Sequence, residues 1–138
     1  MKSLIDILHK ENCSLVVLNG EIRTYNKRGI ADLLNLLKSD SEFLQDSKIA
    51  DKVIGKAAAA LIILGRVKSV ETDMISIYAE QLFERYNVMV NAKAVVPYIL
   101  NRQRTGMCPL EELCLKKDDV NEILSLIENF VKEKVGSF

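Results

Sequence analysis

The sequence has no tryptophan, one histidine, two prolines and six glycines among its 138 residues. That single histidine, His9, and three scattered cysteines supply no C-x-x-C pair and no H-E-x-x-H, so neither a metal nor a cofactor is expected. An odd number of separated thiols fits reduced cysteines better than a disulfide framework. G-x-G-x-x-G, a P-loop and G-x-S-x-G are all missing. No apolar run reaches the ~18 residues of a bilayer-spanning helix, the longest being 57–64. The opening MKSLIDILHKEN mixes both charges and lacks the apolar core and cleavage site of a secretory signal. These absences lead to the expectation of a cytoplasmic protein with no membrane partner. Lys plus Arg (19) balance Asp plus Glu (19), which argues against a nucleic-acid partner. The same neutrality removes a colloidal barrier to self-association and leaves a homo-oligomer open.

What is present fits one domain over residues 1–138, long enough to bury roughly two-thirds of its unfolded surface. Residues 51–64, DKVIGKAAAALIIL, are the most apolar stretch, and four alanines in the middle let neighbours approach closely. The reading is a central helix buried nearly all round, closed by Gly65. Before it, residues 3–10 form a first helix capped by Ser3. CSLVVL and EIRTYN flank Asn19-Gly20 as a hairpin whose two turn residues both need positive φ. Lys27-Arg28-Gly29 close the second strand, and Ile30, Leu33, Leu34 and Leu37 mark a helix to about Lys38. Polar residues 39–48 read as a mobile loop anchored by Phe43 and Leu44. After the central helix come a third strand (67–74), a helix capped by Ser76, a short strand (88–90), and an ambiguous AVVPYIL in which Pro97 argues for an edge strand or a helix start. A polar loop (101–107) then leads to a short helix at Cys108-Pro109. The last helix is capped by Asp118 or Asp119. Strands alternating with helices after a hairpin mean an α/β fold with a mixed sheet.

Two constellations carry chemistry. Asp51, Lys52, Gly55 and Lys56 stand at the front of the central helix, with Asp51 as its cap and the two lysines on one face. Free amides and two ammonium groups there suit an anion, and Gly55 permits close approach. The plainer reading is a solvated helix start with Gly55 packed on a strand. The second constellation is NRQRTGMCPLE. Asn101, Arg102, Thr105 and Gly106 offer donors, while Cys108 at a helix N-cap is the best candidate nucleophile. Glu111 at the third helical position makes a capping-box-like pair with it. Structural capping accounts for the same residues. Cys13 and Cys114 read as core, and His9 as a helix-surface residue.

DKVIGKAAA, a serine after a strand (Ser76), and VVPYILNRQRTGMCPLE together resemble an uncharacterised prokaryotic domain family grouped with the cytidine-deaminase-like fold. The resemblance covers nearly the whole chain. It implies a three-layer α-β-α sandwich with a mixed sheet of about five strands. Zinc deaminases use H-x-E (or C-x-E) and P-C-x-x-C at two helix starts. Here Val53-Ile54-Gly55-Lys56 and Ser76-Ile77-Tyr78-Ala79 stand there instead, so zinc-dependent deamination is excluded. What the resemblance leaves is a pocket at the front of the central helix. The expected function is binding of a small anionic or nucleotide-type ligand there, by Lys52, Lys56, Gly55, Ser76, Asn101, Arg102, Thr105, Gly106 and Glu111. The alternatives are a zinc-independent enzyme using Cys108, or Lys56 oriented by Asp51, and a structural, oligomeric interaction module.

Overall fold

The computed structural model describes residues 3–27 and 30–136, and the side chains up to residue 133. The expected strand end at Arg28-Gly29 therefore lies outside the described residues. The chain runs α1 (Leu4–Lys10), β1 (Leu15–Asn19), β2 (Glu21–Tyr25), α2 (Ala31–Ser39), α3 (Ser41–Leu44), β3 (Lys48–Ile54), α4 (Lys56–Leu64), β4 (Ser69–Ser76), α5 (Ile77–Arg85), β5 (Met89–Val96), α6 (Pro109–Cys114) and α7 (Val120–Gly136). The five strands form one mixed sheet in the order β2-β1-β3-β4-β5. β2, β1 and β3 are antiparallel neighbours, whereas β3, β4 and β5 run parallel.

Parallel neighbours need crossover connections, and α4 and α5 supply them. The two helices pack on each other, with α7 along α4. On this face Leu15, Val17, Ile49, Ile54, Val70 and Ile75 join the helices in the main core. The other face is covered by α1, whose Leu4, Ile5 and Leu8 meet Cys13, Val16 and Ala50. The α-β-α layering is thus lopsided. Lys56 through Ile62 are all buried, as the all-round apolar character of this helix predicts.

Several expectations change. The central helix begins at Lys56, not Asp51, because residues 48–54 form the middle strand of the sheet. Asp51 is therefore a strand residue and caps nothing, and Gly55 is the N-cap. Lys52 and Lys56 do not share a helix face: the Lys52 ammonium donates to Asn12 Oδ1 at 3.2 Å, beside the end of α1. In the hairpin, Asn19 pairs with Glu21 as the last rung, so Gly20 alone takes positive φ, at 77°. Asn19 serves another purpose, its side-chain amide donating to the carbonyls of Phe43 and Gln45.

Residues 39–48 are less loop-like than their composition suggests. They hold α3, with Phe43 and Leu44 buried as expected. The Arg23 guanidinium lies 3.7 Å from the centroid of the Phe43 ring and pairs with Asp40. Leu44 also explains Gly65, since a Cβ there would sit 2.9 Å from Leu44 Cδ1. The left-handed residue that ends α4 is Arg66, φ 59°. β4 is shifted two residues along from the expected strand, and β5, Met89–Val96, outruns its expected three residues as the sheet edge that stops just before Pro97. Asp119 caps α7 by accepting from the amides of Asn121 and Glu122. His9 is at the surface, its ring paired with Asp73.

Candidate functional site

The start of α4 is held by a carboxylate from another helix. Glu111, on α6, is 2 % exposed. Its Oε1 accepts from the Lys56 amide at 2.8 Å and from the Ser76 hydroxyl at 2.9 Å, and its Oε2 accepts from the Ile99 amide. Ser76 is the N-cap of α5 and also accepts from the Ala79 amide at 3.2 Å. One buried carboxylate therefore joins the starts of α4 and α5 to the segment that follows β5. Its charge suits the positive end of α4. A Cβ on Gly55 would lie 3.1 Å from Glu111 Oε1 and 3.2 Å from Ile99 Cγ1, so the absent side chain makes room for this carboxylate.

The expected anion site at this helix start is thus filled from within, and Glu111 forms no capping box with Cys108. Cys108 is the N-cap of α6 by position only, without a side-chain capping bond. The Lys56 ammonium is also engaged: it donates to the Leu115 carbonyl and to Asp118, both at 3.0 Å. That contact holds the Asp118 carboxyl below its usual range. Asn101 and Thr105 bond to each other, the Thr105 amide reaching Asn101 Oδ1 at 3.0 Å, and so shape the loop. Gly106 has open space about its Cα. Neither Thr105 nor Gly106 lines the cavity described next.

That cavity, about 410 Å³, lies between β3, the start of α4 and α6. Asp51, Lys52, Gly55, Lys56, Cys108 and Glu111 all line it. The structure therefore gathers six of the predicted residues around one space, at the carboxyl end of a parallel strand, where open α/β sheets commonly bind ligands. Val53, Ala57, Ala58, Ile99, Leu110 and Ile30 give it mainly apolar walls, and Ser14 adds a hydroxyl. Sequence reasoning missed these wall residues. Their only signal was apolarity, which core residues share. Among the described residues, no three His, Cys, Asp or Glu side chains converge as metal ligands.

Glu111 and Lys56 are committed to bonds with distant segments, whereas Asp51, the other carboxyl lining the cavity, is bonded among the described residues only by the neighbouring Val53 and Lys52 amides. Burial pushes its pKa up to about 7; the Val53 and Lys52 amides pull it down, and the negative charge of Asp32 adds to the rise. By surface Asp51 is only part-buried, and it lines the cavity. Of the three thiols, Cys13 and Cys114 are buried and burial raises both, Cys114 to about 11. Cys108 alone is partly exposed.

Two measurements follow. Glu111→Ala leaves the Lys56 amide, the Ser76 hydroxyl and the Ile99 amide without their acceptor. It is expected to cost about 3–5 kcal/mol in urea unfolding, from bonds to a charged acceptor. A loss below about 1 kcal/mol would contradict this role. Asp51 acts in the opposite sense. Its folded pKa lies above the unfolded value of about 3.9, so the native state holds a proton that the unfolded chain has released. Its contribution is greatest below about pH 4 and declines as pH rises to about 7. Asp51→Asn should therefore be more stable than the parent at pH 8, by as much as about 4 kcal/mol, with the gain vanishing near pH 4. An equal effect at both pH values would refute the buried-acid assignment.

Comparison with known proteins places this architecture. Residues 3–131 match the TM1506 family, described as a domain of unknown function (DUF1893). A similar solved structure is that of a DUF1893 family protein (TM1506) from Thermotoga maritima, with a TM-score of 0.83 and 26 % identity over 91 % of this chain and 85 % of that one. No curated protein matches the sequence. The chain, matched by the family over almost its whole length, belongs to the DUF1893 family.

Proposed function

We propose that this domain binds a small molecule in the cavity at Asp51, and that the bound group is a planar, amide- or amine-bearing ring of the nucleobase type. The observation that carries the reading is a single perturbed carboxyl set among apolar walls in a cavity of ligand size. A neutral carboxylic acid offers one donor and one acceptor. That pair matches a ring nitrogen beside an exocyclic amine. The ionised form offers two acceptors, which match adjacent ring and exocyclic N–H groups. With a pKa of about 7, Asp51 has access to both forms near neutrality.

This reading differs from an anion bound by Lys52 and Lys56. Lys56 is paired to Asp118, and Lys52 reaches Asn12. The broader reading, a cytidine-deaminase-like fold without zinc chemistry, is part of the proposal. Its zinc-free part is supported by the absence of H-x-E and P-C-x-x-C at the two helix starts, which Glu111 links instead. A second reading, covalent chemistry at Cys108, is favoured by one observation: its thiol lines the same cavity. Lys56 is a poor candidate nucleophile because its ammonium is already held by two acceptors.

Thermal shift with the four ribonucleosides tests the main reading. A nucleoside at ten times its Kd adds about 1.4 kcal/mol, a rise of roughly 4 °C for a domain of this size. The shift is expected to disappear in Asp51→Leu, whose own cooperative melting transition would show that it is folded. The bound nucleoside should also slow iodoacetamide labelling of Cys108. No shift from any nucleoside, or a shift unchanged in Asp51→Leu, would defeat the proposal.

A further inference from the structure

The cavity at Asp51 does not end at Cys108. A second groove, of about 660 Å³, lies on the other side of Ile30, Cys108 and Leu110, and these three residues line both spaces. They form a common sill, so a molecule too long for the inner cavity would cross it into the groove. The outer walls come from the start of α2, from α7 and from the loop after Ile99. Among the described residues, Arg102 is the only charged side chain in these walls. Among the described residues its guanidinium has no ion-pair or hydrogen-bond partner, and no carboxylate of theirs lines the groove to neutralise it. Asn35 and Gln103 add amide donors on either side. The two compartments thus differ in chemistry: the inner one holds Asp51 with Lys52 beside it, whereas the outer one has, among the described residues, a cation and no carboxyl.

We infer that the ligand is bipolar: a nucleobase-type ring seated against Asp51, and an anionic group, of the kind carried by a nucleoside monophosphate, held by Arg102 in the outer groove. This inference rests on the reading of the inner cavity and adds the class of molecule. Guanidinium is well suited to the outer task because its planar fork of donors matches phosphate oxygens two at a time. The inference also explains how a nucleotide-type ligand is accommodated when the amide at the start of α4 is taken by Glu111. The anionic end is met about the sill of Cys108, away from that helix.

The test compares each of the four ribonucleosides with its 5′-monophosphate by calorimetry, in the parent protein, in Arg102→Gln and in Arg104→Gln. Arg104 does not line the groove; it lines a third pocket, which Arg102 also borders, so it separates the groove from that pocket as the seat of the anion. In the parent at low salt, at least one monophosphate is expected to bind about tenfold tighter than its nucleoside, through charge-assisted bonds that salt weakens. Arg102→Gln should bring that ratio close to one and leave nucleoside affinity within about twofold, while Arg104→Gln should leave the ratio unchanged. Equal binding of nucleoside and monophosphate in the parent overturns this inference and leaves the inner-cavity reading standing. A preference for monophosphate that survives Arg102→Gln also overturns it, by placing the anion elsewhere. Absence of binding by nucleosides and monophosphates alike removes both readings together.

Discussion

The buried carboxylate of Glu111 is the contact on which the arrangement of this protein depends. Two parallel strands, β3 and β4, deliver their chains to two helix starts on the same side of the sheet, and each start has free amides that burial would otherwise leave unpaired. Glu111 answers the first amide of α4 directly and α5 through the Ser76 hydroxyl, and it fixes the backbone at Ile99 with its second oxygen. Left alone, a buried carboxylate is costly. Three donors and a favourable helix end make this one a joint. Gly55 belongs to the same joint, since any side chain there would press on Glu111 and Ile99.

Filling the helix start from within has a consequence for the chemistry left over. Lys56, the nearest cation, is turned to Asp118 and the end of α6, so it ties α4 to the entry of α7. The cavity beside it is left with Asp51, an acid that burial keeps partly protonated near neutral pH. Apolar walls strengthen any hydrogen bond made there and raise the cost of leaving one unmade. The proposed ligand would be chosen there by the pattern of its donors and acceptors, with Lys52 at the cavity wall and Arg102 farther out as the cations that could add a preference for charge.

Much of the fold was legible in the chain. Ser3 and Ser76 announced helices by capping chemistry that acts within three residues, and both cap as expected. The Asn-Gly hairpin, the alanine-rich helix and the stripe of the last helix were plain for the same reason: each is a local pattern. The strand KIADKVI was not. Charges at Asp51 and Lys52 broke its apolar run, and the Ala-rich sequence after it made the whole stretch look helical. It is a strand because β1 and β4 pair with it on either side, and strand pairing is not a local property. The loop at 39–48 was misread for a related reason, since Arg23 and Asn19 from the hairpin hold it in place.

By itself the sequence determined the periodic elements, the turns and the set of residues able to do chemistry, because propensity, capping and hydrophobic spacing operate over a few residues. It also offered Asp51, Lys56, Cys108 and Glu111 as candidates, and all four line one cavity. Only the tertiary structure decided what each one faces. Glu111 meets partners 55, 35 and 12 residues away, and Lys56 reaches an acid 62 residues on. Which cation is neutralised and which acid is left facing a cavity depends on distances between segments far apart in the chain, and no spacing within the sequence encodes those distances.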